Sequence, residues 1–140
     1  MSAASDDAVG HSVDMTWTVD PSLCTRRGDH DLLSTPSMVL LIEKASIEAV
    51  TPFLTEGETT VGTQVSVRHV APTPGGATVR VQATVREREG RRFRLDVEVF
   101  DDLDRVGIAD HERFVVGLDK YLARLREKSA RLAEIGPSQA

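Results

Sequence analysis

The chain has 140 residues, 40% hydrophobic and 28% charged, enough for one domain with a buried core of its own. A formal net charge of -5 argues against nucleic acid held on a broad basic surface, and a single cysteine, Cys24, excludes an internal disulfide framework or an all-cysteine zinc site. The longest apolar run, residues 38–42, is far below the roughly 20 residues that span a membrane, and the polar N-terminus carries no secretory pattern, so no membrane partner and a cytoplasmic location are expected.

Residues 1–11 lack periodicity and apolar anchors and read as a disordered tail, with one domain over 12–135. In 12–19, Val13, Met15, Trp17 and Val19 alternate with polar residues, the period of a half-buried strand. Residues 20–34 hold Pro21, Gly28 and a polar stretch, which predicts a long surface loop or a lid. Thr35-Pro36 is a helix-start pair, with the Thr35 hydroxyl as cap, and the helix should stop at Val50 before Thr51-Pro52. Its sequence is apolar around most of its circumference, interrupted only by Glu43, Lys44 and Glu48, so it should be covered on several sides.

Four alternating runs follow, over 59–70, 77–86, 92–100 and 105–116, joined by turn-rich segments that imply an antiparallel meander. Residues 117–134 form a last helix that packs by one stripe, Tyr121, Leu122, Leu125 and Leu132. This is an α+β chain in which a curved antiparallel sheet wraps the central helix and an extra helix ends the domain.

Several residues could carry chemistry. Thr35 either caps its helix or stands where the positive helix end meets a developing oxyanion; with no N–H on Pro36, Ser37 and Met38 would be the donors. Glu43 is turned outward, paired with a Lys or Arg, or a general base or nucleophile. His69, in phase with Val61, Val65 and Val67, is a satisfied core histidine or the acid–base partner of Glu43. His111 and Arg113 share the strand face opposite Phe114, where Arg113 is solvated or grips a carbonyl or phosphate. Gly62 inside a strand points to a bulge or a close ligand. Arg86, Arg88, Arg91, Arg92 and Arg94 read as a solvated hairpin tip, with coenzyme A phosphates as the lesser option. The four His residues show no metal spacing, and no phosphate loop or Gly-x-Ser-x-Gly elbow is present, so no metal and no cofactor are expected.

The segments Ser34-Thr35-Pro36…Met38-Val39…Glu43, Val61-Gly62-Thr63…Val67-Arg68-His69 and His111-Glu112-Arg113 resemble the fluoroacetyl-CoA thioesterase family of hot-dog proteins, over roughly 32–128. The step of eight residues from Thr to Glu and of seven from Gly to His agree without a gap. The resemblance implies a hot-dog fold and hydrolysis of acyl-CoA by a homodimer whose active site lies near the interface. It implies Thr35, Glu43 and His69 as catalytic residues and Gly62 and Arg113 as substrate contacts. The family's fluoroacetyl specialist has two lid phenylalanines where this chain has Arg26 and Asp29, and Gly where it has Pro36, which leaves the acyl group open. Eight residues of helix span about 12 Å at about 1.5 Å per residue, so Thr35 and Glu43 of one chain should not touch. A compact site then needs a second copy's Glu43, or water or substrate between them. A non-catalytic acyl-CoA or acyl-carrier binding module, and a hydratase, are the competing readings.

Overall fold

The computed structural model describes residues 7–137. Residues 1–6 of the expected tail lie outside the described residues. Beyond them the chain is already anchored: Ala8 is fully buried, Gly10 donates its N–H to the Val85 carbonyl, and Val85 donates back to His11.

In chain order, strand β1 (Ser12–Thr18) leads into a short 3-10 turn, Pro21–Leu23, and then into two strands, β2 (Cys24–Arg27) and β3 (His30–Leu33). The stretch expected as a loop is thus a two-stranded antiparallel hairpin, turned at Gly28 with φ 59°, a left-handed value glycine adopts without strain. Its charged residues hide the strand signal, since Arg26 pairs with Asp31 across the ladder in place of an apolar contact. Helix α1 (Thr35–Val50) follows, then a second 3-10 turn, Thr51–Phe53. Strands β4 (Glu58–His69), β5 (Thr78–Glu89), β6 (Arg92–Phe100) and β7 (Arg105–Gly117) precede helix α2 (Leu118–Ile135).

The five long strands form one antiparallel sheet in the order β1-β5-β6-β7-β4. The expected meander holds for β5, β6 and β7. β4 instead pairs with β7 at the far edge, so residues 70–77 carry the chain across to β5. Alternation fixes which way side chains face and leaves the choice of neighbour open.

α1 lies on this sheet, packed chiefly on β5 and also on β1, β4 and β6. Met38, Leu41, Ile42, Ala45, Ser46, Ala49 and Val50 are its buried residues, at the spacing of one helix face. They meet Val79, Val81, Ala83 and Val85 of β5 and Phe93, Leu95, Val97 and Val99 of β6 in one core. The expected cover on several sides is not supplied within the chain: Leu40 and Ile47 remain 44% and 41% exposed on the opposite face. α2 buries none of its residues, and its apolar stripe is open to solvent. Among the described residues no helix is long and apolar enough to cross a membrane.

Candidate active site

The site begins at the N-terminus of α1, where two adjacent hydroxyls divide the work. Ser34, not Thr35, is the cap: its Oγ accepts from the Ser37 N–H at 3.1 Å. The Ser34 carbonyl takes the Met38 N–H at 2.9 Å. Both backbone donors expected to polarise a substrate carbonyl are therefore occupied. Because Ser34 caps the helix, the Thr35 hydroxyl is free to leave it. It lies 2.9 Å from His69 Nδ1, at the C-terminal end of β4.

His69 is partly buried, and its Nε2 is enclosed without a hydrogen-bond partner. Burial pushes the His69 pKa below its ordinary 6.5, so the ring is neutral at neutral pH. A neutral imidazole hydrogen-bonded to a hydroxyl can take up or return a proton.

Two turns along α1, Glu43 faces β7. Its Oε2 accepts from Arg113 Nη1 at 3.4 Å, with the carboxylate side chain 40% exposed and the guanidinium side chain 4%. Glu43 is thus both outward-turned and paired, and remains within reach of a ligand. Arg113 is not the solvated arginine of an open sheet. Its Nε donates to Thr60 Oγ1 at 2.9 Å, Nη2 to the Thr60 carbonyl at 3.0 Å, and Nη1 to His111 Nε2 at 3.3 Å as well as to Glu43. Burial lowers the Arg113 pKa below the ordinary arginine value, and the neighbouring Glu43 acts in the opposite sense. His111, 1% exposed, completes the chain through Nδ1 and the Gln64 carbonyl, 2.8 Å apart.

Gly62 has a bulge beside it and no room for a side chain. The ladder to β7 slips between Gly62, opposite Arg113, and Gln64, opposite Glu112, leaving Thr63 as the extra residue. A Cβ on Gly62 would sit 2.5 Å from Glu43 Oε2 and 3.1 Å from Arg113 Nη1. The bulge also corrects the expected facing. Val61 pairs with the half-exposed Phe114, whereas Val65 pairs with buried His111, so the two valines lie on opposite faces. Val65, Val67 and His69 keep the inward face.

The structure brings Thr35 to His69, and Glu43 to Gly62 and Arg113. It shows no direct bond between these two groups within the chain. Thr60 and Gln64 join the second group with no sequence motif to mark them, and His111 joins it through the in-phase pair it makes with Arg113 on β7. Among the described residues no group of His, Cys, Asp and Glu could hold a metal ion. The arginines of the β5–β6 hairpin are less free than a solvated tip: Arg86 bonds Asp96 and Asp110, and Arg94 faces Asp110 and Glu112.

Residues 9–119 match the family described as FlK, fluoroacetyl-CoA-specific thioesterase. The chain is 41% identical over 99 residues to the fluoroacetyl-CoA thioesterase of Streptantibioticus cattleyicolor, covering 71% of each protein. It is similar to a solved structure of the fluoroacetyl-CoA thioesterase FlK, with a TM-score of 0.80 and 36% identity over 86% of this chain and 96% of that one. It is also similar to the crystal structure of a hypothetical protein of Thermus thermophilus, a thioesterase superfamily member, with a TM-score of 0.84 and 30% identity over 90% and 96% of the two chains.

Proposed function

The chain belongs to the fluoroacetyl-CoA-specific thioesterase family, and from that premise we propose that it hydrolyses a short or small acyl-CoA thioester to the free acid and coenzyme A. It is a thioester hydrolase of hot-dog fold. The observation that carries the reading is the Thr35–His69 hydrogen bond at the start of α1, on the same helix as a carboxylate held by Arg113.

In this reading Thr35, Glu43 and His69 are catalytic. Glu43 takes a proton from the attacking water, or attacks the carbonyl carbon itself; His69 and Thr35 relay a proton toward the departing thiolate. The acyl group lies beside Gly62 and Arg113, where the absence of a side chain on Gly62 lets the Glu43 carboxylate come close to the strand. No cofactor is called for, since water supplies the oxygen and the proton that end on acid and thiol. The hairpin before α1 is polar, with Arg26 paired to Asp31 and Asp29 bonded to His30, so it gives the acyl group no apolar lid.

The protein acts as a homodimer in the cytoplasm, where coenzyme A thioesters are found. Two features support the dimer: the exposed Leu40 and Ile47 flanking Glu43 on α1, and the edge position of β4. The Glu43 of a second copy then comes to the Thr35–His69 pair that its own chain's Glu43 does not reach.

Thiol release from a panel of acyl-CoA thioesters tests this. Glu43→Gln and His69→Ala should each lower kcat/KM by about 100-fold or more, the usual worth of a positioned acid or base. Hydrolysis untouched by both would remove the site assignment. Binding without turnover in the wild type would leave a non-catalytic acyl-CoA binding module in its place.

A further inference from the structure

We propose that His111 is a positioning residue, a neutral imidazole that fixes the Arg113 guanidinium beside Glu43 and thereby sets the direction of the carboxylate. The proposal rests on Glu43 being the reactive carboxylate of the thioesterase reading.

The argument follows from what each atom can do. A carbonyl oxygen only accepts, so His111 Nδ1, 2.8 Å from the Gln64 carbonyl, must carry the proton. A guanidinium only donates, so His111 Nε2, 3.3 Å from Arg113 Nη1, must offer its lone pair. These two demands allow a single state, the neutral Nδ1–H tautomer. A second proton would aim Nε2–H at an N–H donor and set two cations side by side at a 1% exposed position. The charged groups around the ring are Arg113, Glu43 and Asp110.

Arg113 is consequently held from three sides. Thr60 takes Nε and Nη2, and His111 takes one N–H of Nη1. The other N–H of Nη1 is left pointing at Glu43 Oε2. Remove the imidazole lone pair and the planar guanidinium, still bound by Thr60 along its Nε–Nη2 edge, can tilt as a whole and carry Nη1 away from the carboxylate. Glu43 then loses its fixed direction. Thr60 and Gln64 come from the stretch of β4 that flanks the Thr63 bulge, which ties the position of the guanidinium to that irregularity.

Nitrogen-15 NMR of the imidazoles and steady-state kinetics with acetyl-CoA test the idea together. In the wild type, His111 should show a protonated Nδ1 and an unprotonated Nε2 from pH 8 down to 6. An Nε2–H tautomer or an imidazolium in that range would overturn the proposal without any variant being made. His111→Leu, which lacks the acceptor, should lower kcat by about tenfold or more with KM within about twofold. His111→Gln, whose side-chain oxygen can accept from Arg113, should recover most of kcat. Equal losses in the two variants, each checked for folding by near-ultraviolet circular dichroism, would make His111 a packing residue and sink the proposal. A wild type that hydrolyses no acyl-CoA would remove the thioesterase reading, and the imidazole spectrum would still decide the state of His111.

Discussion

Ser34 and Thr35 present hydroxyls on consecutive residues, yet one serves the helix and the other His69. A Thr before Pro reads as a cap from sequence, and a Ser one place earlier reads equally well; local propensity cannot choose between them. What decides is His69, 34 positions away in the chain. Site residues were therefore legible as types and spacings, while their partners were not. The same holds for Gly62, whose glycine is explained by Glu43, a residue of another element. Its φ is not in the left-handed region, so the constraint is space alone. Gly62→Ala should fold normally, because the far end of the Glu43 side chain can move aside. It should lower kcat/KM by about tenfold or more, since the displaced atom is the reactive oxygen. Wild-type turnover in that variant would show that the close packing of Glu43 has no bearing on the reaction.

The elements themselves were legible where periodicity was strong. α1 and the four long strands after it lie within a few residues of the expected bounds, because their apolar residues recur at clean helical or two-residue steps. The β2–β3 hairpin was not legible. Its strands are four residues each and its outer pairs are charged, so neither length nor alternation marks them. The helix–sheet contact is tight at one point that sequence does not reveal: a Cβ on Gly107 of β7 would come 2.6 Å from Met38 Sδ, both in the core. Gly107→Ala should cost about 1–3 kcal/mol of stability, the usual price of overpacking a full core, read as a lower urea midpoint at unchanged slope. An unchanged midpoint would mean that α1 rides loosely on β7.

For the molecule as a whole, the layer arrangement was legible and the strand order only in part. A helix apolar nearly all round demands a sheet that curves about it, which limits the architectures. The place of β4 beyond β7 depends on pairing energies spread along a ladder, and no short motif records them. Global stability should carry the mark of two histidines that burial keeps neutral. Both His69 and His111 have pKa values below the ordinary 6.5, with burial as the main cause. The unfolded chain therefore binds protons that the folded chain declines, and stability falls as pH drops below about 6.5. Thermal unfolding should show a Tm that is level above pH 7 and declines between pH 6.5 and 5.5, well before carboxylates protonate. The His111→Gln variant should decline less over that interval; a wild-type Tm that stays level to pH 5.5 would contradict the buried, uncharged state of both rings.

The spare residue at Thr63 gives the edge strand an unequal tolerance to editing. Excise it, and β4 relaxes into plain zigzag with Thr60 and Gly62 on one side of the cut and Val65, Val67 and His69 on the other, all still aimed at the helix. Add a residue beside it instead, and alternation still turns both stretches toward α1, but one of them must slide two residues along β7, parting either Thr60 from Arg113 or Gln64 from His111. At this point of the chain, a codon lost should be far gentler than a codon gained.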